Sequence, residues 1–130
     1  MGYRSQVVLA MSEELRPFFL TFLASNPDAK KMVDRADIRA SDLIEKGDFV
    51  LGWNQIKWYP SYDEVAAIQR FVDNLESEDL REYGEEEGSI DWAQEVFKFI
   101  RIGEEHDDID VIGNGFWDLY PETRISGINF

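Results

Sequence analysis

The chain contains no cysteine, so it has no disulfide framework, no thiol nucleophile and no cysteine-bound zinc. Basic side chains are scarce: thirteen Lys and Arg stand against twenty-seven Asp and Glu, for a formal charge of -14. Gripping nucleic acid through its phosphates, or docking on an anionic membrane surface, needs the opposite balance. No apolar run approaches the roughly 20 residues that cross a bilayer. The stretch Val7-Val8-Leu9-Ala10-Met11 is too short for the apolar core of a signal peptide. Gln6 stands where myristoylation of Gly2 requires Ser or Thr. A soluble intracellular protein, and a whole gene product, is the expectation.

Catalytic signatures are equally sparse. There is no Gly-x-Gly-x-x-Gly, no Gly-x-x-x-x-Gly-Lys, no His-Glu-x-x-His and no Gly-x-Ser-x-Gly. Asp108-Ile109-Asp110-Val111-Ile112-Gly113 opens like a calcium loop. Its fifth position is Ile112 and its twelfth is Leu119, where oxygen ligands belong, so an EF-hand is rejected. His106 is the single histidine. Any His-centred acid–base or metal site must use it, with Asp107, Asp108 or Asp110 beside it, and its flanking carboxylates favour the imidazolium. A solvated hairpin turn is the plainer reading of that stretch.

What is present suits one core. The 130 residues are 44% hydrophobic and 14% aromatic, enough for a single domain over 1–130 and too little for two. The acidity is uneven. Residues 1–71 hold nine basic and ten acidic side chains, whereas residues 72–130 hold four and seventeen. Two runs dominate the second part. One contains Asp73, Glu76, Glu78, Asp79, Glu82, Glu85, Glu86 and Glu87, opposed by Arg81. The other contains Glu104, Glu105, Asp107, Asp108 and Asp110. Pairs such as Glu78 and Glu82 repel by about 0.2–0.5 kcal/mol on a helix, and solubility alone does not require such crowding.

Periodicity outlines the elements. Tyr3 to Ala10 reads as a strand buried on both faces. Ser12 offers an N-cap to a helix whose apolar face is Leu15, Phe18, Phe19, Phe22 and Leu23, stopped at Asn26-Pro27. Asp28 to Lys46 suits one or two short helices, ended by Gly47, better than a strand. Asp48 to Tyr59 is a strong strand with a bulge or tight turn at Asn54-Gln55. Ser61-Tyr62-Asp63-Glu64 matches a capping box opening a helix with the stripe Val65, Ile68, Phe71/Val72 and Leu75. Ser77 to Leu80 reads as a short capped helix. Val96 to Ile102 and Asp108 to Ile112 form a hairpin, Gly113-Asn114-Gly115 is a turn, Phe116 to Tyr120 is a short strand and Arg124 to Phe130 a closing one. This order predicts an α+β fold, a mainly antiparallel sheet with helices packed on one face. The other face is expected to be partly solvent-exposed or covered by a partner, a second copy included.

In so acidic a chain Trp53, Trp58, Trp92 and Trp117 are expected to pack the core or mark an interface rather than stack bases, with the core the expectation for each one individually. Trp53 and Trp58, five apart, face opposite sides of an uninterrupted strand; a bulge would change that.

Met1-Gly2-Tyr3-Arg4-Ser5 with Val7-Val8-Leu9-Ala10, then Ile56 to Val65, Phe99 to Ile109 and Arg124-Ile125 to Phe130 together resemble a loose family of small, mostly uncharacterised proteins of tailed bacteriophages. These blocks cover about a third of the chain and carry no catalytic motif. The resemblance implies a setting, an accessory protein in the host bacterial cytoplasm. By analogy it implies a role in binding and inhibiting a host defence or nucleic-acid enzyme, or in being sensed by one.

The combined reading is a non-enzymatic protein without cofactor that binds a host protein carrying a basic groove. It makes no direct contact with nucleic acid or membrane. Its binding surface comprises Asp73, Glu76, Glu78, Asp79, Glu82, Glu85, Glu86, Glu87, Glu104, Glu105, Asp107, Asp108 and Asp110. Helical carboxylates about 5–6 Å apart can stand in for a row of phosphates, so nucleic-acid mimicry is one form of it. The alternative is a metal-dependent hydrolase or nuclease on the 104–110 cluster, with Glu95 as a further ligand.

Overall fold

A computed structural model describes residues 2–77, 95–105, 107–122 and 124–130. The elements in chain order are β1 (Ser5–Met11), α1 (Arg16–Ala24), α2 (Pro27–Asp34), β2 (Ile38–Ser41), β3 (Phe49–Ile56), α3 (Asp63–Glu76), β4 (Phe97–Ile102), β5 (Ile109–Ile112), β6 (Tyr120–Pro121) and β7 (Ile125–Ser126). Five strands form one antiparallel sheet in the order β2-β3-β1-β4-β5, and β6 pairs with β7. The fold is α+β. β1 lies at the centre, which is why Val7, Val8, Leu9, Ala10 and Met11 are all buried.

Strand alternation sends Val7, Leu9 and Met11 to one face, with Leu51, Trp53, Phe97 and Phe99. All three helices pack there. α1 contributes Phe19 and Phe22, α2 contributes Ala29, Met32 and Val33, and α3 contributes the expected stripe Val65, Ile68, Phe71, Val72 and Leu75. Phe19 and Phe22 each stand 5.1 Å from Phe71, ring centre to ring centre, within the range of favourable aromatic pairs.

The opposite face is closed by the chain itself, contrary to the expectation of an open or partner-covered surface. Val8, Ala10, Val50, Ile100 and Ile102 lie beneath Phe116, Leu119 and Ile125, with Ile128 and Phe130 packed against them. The tail reaches so far because Gly52 presents no side chain. A Cβ there would sit 2.8 Å from the Phe130 ring. The predicted closing strand from Arg124 is therefore reduced to Ile125–Ser126, and the strand expected at Phe116–Tyr120 to Tyr120–Pro121. Hydrophobic packing of single side chains has replaced strand pairing.

Several local expectations also give way. Ile38 to Ser41 form an edge strand paired with β3, not a helix; four residues are too few to reveal their period. Ser12 caps no helix, since its hydroxyl donates to the Glu14 carboxylate and α1 begins four residues later. The Ser61/Glu64 capping box is not made either. Glu64 Oε2 instead accepts a 2.7 Å bond from Arg35 Nη1, tying α3 to α2. Ser77 terminates α3, and the short helix expected after it lies outside the described residues.

At Asn54-Gln55 the register changes from Val7↔Trp53 to Ser5↔Ile56, so β3 spends one more residue than β1. This is a bulge, with Gln55 at φ 58. It reverses the alternation, so Trp53, Ile56 and Trp58 share the helix-bearing face and the two indoles lie 5.3 Å apart.

Candidate functional site

The β4–β5 hairpin brings two of the five carboxylates of the second acidic run, Asp108 and Asp110, against one cation. In register, Arg101 opposes Asp110 and Ile102 opposes Ile109. Arg101 points to the helix-bearing face, where its Nη2 lies 2.6 Å from Asp108 Oδ1 and its Nε 2.8 Å from Asp110 Oδ2. Its Nη1 reaches Asp108 Oδ2 at 3.2 Å and Ser5 Oγ at 3.3 Å. The Arg101 side chain is 15% exposed. Two parallel N–H···O bonds of this kind are among the stronger ion-pair geometries.

Tyr3 completes the cluster. Its hydroxyl donates to Asp108 Oδ2 at 2.7 Å and accepts from the Glu105 backbone N–H at 3.0 Å. The amide of Tyr3 donates to Tyr59 Oη, and that of Arg4 to Glu104 Oε1. The guanidinium of Arg101 and then the phenol of Tyr3 hold the Asp108 carboxyl below its ordinary pKa. In return, hydrogen bonding to Asp108 raises Arg101 further above its ordinary value. For Tyr3 the Glu105 N–H favours the phenolate, but donation to Asp108 and partial burial outweigh it, and the pKa is raised.

An open groove of about 430 Å³ runs between this cluster and α3, lined by Tyr3, Trp58, Gln69, Arg101, Asp108 and Asp110. Gln69 accepts from Trp58 Nε1 at 3.3 Å and donates to Asp73 Oδ1 at 3.2 Å. Asp73 on α3 and Asp108 and Asp110 on the hairpin thus lie on the same side of the sheet. Glu76 is also on α3 and exposed. Glu104, Glu105 and Asp107 are exposed in the hairpin connection and form no ion pair with a described residue. Asp108 and Asp110 differ from them, because their charge is met by Arg101. Glu78, Asp79, Glu82, Glu85, Glu86, Glu87, Trp92 and His106 lie outside the described residues.

Tyr3, Ser5, Gln69 and Arg101 were not singled out by residue patterns. Arg101 was recoverable: a hairpin turning at Gly103–Asp107 sets it opposite Asp110. Nothing local marks Tyr3, whose partner is 105 residues away. As for chemistry, both Asp108 oxygens already accept hydrogen bonds from Arg101 or Tyr3. Among the described residues no three His, Asp or Glu side chains converge as a metal-holding group, and no helix is long and apolar enough to cross a membrane.

Comparison of the chain with protein-family models, curated proteins and solved structures finds no match.

Proposed function

We propose that this chain is a non-enzymatic phage accessory protein that binds a host protein with a basic groove in the bacterial cytoplasm. It would act as an inhibitor of a defence or nucleic-acid enzyme, or as the molecule such a system senses. The observation that carries this reading is the charge distribution, four basic against seventeen acidic side chains in residues 72–130. Support comes from Glu104, Glu105 and Asp107, which are exposed and form no ion pair with a described residue, and from the setting that the phage-protein resemblance implies. A negative surface of this density steers a cationic partner and favours rapid association. Holding Asp108 and Asp110 on Arg101 fixes the hairpin that presents the exposed carboxylates.

The test is affinity capture from infected bacterial lysate with washes of graded salt. A specific partner should be lost between low and moderate ionic strength. Charge reversal at Glu78, Asp79, Glu82, Glu85 and Glu86, or at Glu104, Glu105 and Asp107, should abolish capture with the fold intact. A partner whose retention ignores both salt and charge reversal overturns the reading. Saturable magnesium or manganese heats by calorimetry, lost in Asp108→Ala, would favour the hydrolase reading instead.

A further inference from the structure

The segment that covers the second face of the sheet places two aromatic neighbours in opposite environments. Phe116 is buried, whereas Trp117, expected in the core, is 81% exposed. The backbone at Phe116 adopts an uncommon form, with φ 52, a region that bulky L residues rarely occupy. Two close approaches hold the segment in place. A Cβ at Gly115 would lie 2.8 Å from the Glu95 carbonyl oxygen, and Gly113, at φ 93, sits against the Phe97 carbonyl. A 2.8 Å bond from Leu119 N to Phe116 O closes the turn. Phe116 and Leu119 point inward, and Trp117, Asp118, Tyr120 and Glu122 are exposed.

Trp117 and Asp118 occupy the middle of that turn. Asp suits such a position through its short polar side chain. Trp does not, and it takes no part in the fold's packing. Left in water it forgoes one of the largest apolar gains a side chain offers. A tryptophan held out of the core, followed in the chain by an exposed aspartate, has the chemistry that receives a cation, a π face for Arg or Lys and a neighbouring acceptor. Tryptophan is also enriched among the residues that dominate binding at protein interfaces.

We propose that Trp117 is the aromatic anchor by which this chain holds a basic partner protein, its indole face taking a partner Arg or Lys side chain that Asp118 also pairs with. The proposal rests on the acidic-surface reading above and adds the anchor to it. Charge complementarity selects the occupant. A second copy would bring Asp118 and Glu122 against another chain of net charge -14, where like charges oppose association.

The test uses the full chain and a labelled arginine-rich peptide, with affinity followed by anisotropy between about 50 and about 300 mM salt. W117A should weaken binding at least about tenfold, and W117F, which keeps an aromatic face, by about threefold or less. Thermal stability should be unchanged in both, since the side chain is exposed. Equal affinity of W117A and the parent chain, with E104K/E105K/D107K weakened, overturns the anchor and leaves the acidic surface standing. Binding that W117A abolishes but that salt leaves alone keeps the indole as a contact and overturns its cationic occupant together with the acidic surface. Absence of binding by the parent chain at low salt overturns both. A sedimenting dimer that W117A dissociates assigns the indole to a second copy and overturns the partner assignment.

Discussion

Tyr3 and Asp108 are joined by a 2.7 Å hydrogen bond across 105 residues of chain. The bond fastens the start of the chain to the β4–β5 hairpin, and Gly103 makes room for it. A Cβ at Gly103 would collide with both Tyr3 Oη and Asp108 Oδ2. Tyr3→Phe should lower the melting temperature, and Gly103→Ala should lower it further because the clash displaces both partners. Differential scanning calorimetry of the two variants checks the order. The Tyr3 pKa is raised, so its contribution is complete below about 10 and is lost as pH rises through the folded value.

Asp108 sets an acid limit of the opposite sign. Its folded pKa is depressed by Arg101 and then Tyr3, so between that value and the ordinary carboxylate value of about 3.9 the native chain binds fewer protons than the unfolded one. Stability from this group is therefore full above the ordinary value and disappears as pH falls through the depressed one. Asp108→Asn should be less stable at neutral pH and should lose less on acidification. Urea midpoints from about pH 2 to about pH 7 provide the measurement.

Arg101 is the cation of the cluster, and its removal leaves Asp108 and Asp110 facing each other. Arg101→Leu should destabilise the fold by about 2 kcal/mol, less than a fully buried pair because Asp110 is largely exposed. Arg101→Lys should recover only part of this, since a point charge cannot form the paired bonds to Asp108. Double-mutant cycles by chemical denaturation should show stronger coupling of Arg101 to Asp108 than to Asp110.

The bulge at Gln55 can be tested by backbone preference. Gln55→Val places a β-branched residue at φ 58 and should cost about 1–2 kcal/mol. Gln55→Gly accepts the conformation, and the greater freedom of its unfolded chain leaves a net change within about 1 kcal/mol. If the bulge slips in the valine variant, Trp58 rotates off the helix-bearing face and tryptophan emission moves to the red.

Legibility followed the range of the forces involved. The buried face of α3 was readable because Val65, Ile68, Phe71, Val72 and Leu75 repeat at the helical period. So was the hairpin, from its apolar strands and the glycine at its turn. The capping signal at Ser61 and Glu64 misled because a distant cation, Arg35, offers Glu64 a better partner than the local backbone. In the candidate site, the acidic residues were evident, but not that Arg101 divides them into internally paired and outward-facing sets.

By itself the sequence determined the antiparallel α+β class, the helical face of the core and the excess of carboxylates in the second half, since composition and period are properties of short stretches. Only the tertiary structure decided that the C-terminal tail covers the second sheet face, that Trp53 and Trp58 meet, and that Tyr3 and Arg101 claim Asp108. These outcomes depend on which distant surfaces meet, and burial and charge pairing act between groups that no local pattern relates.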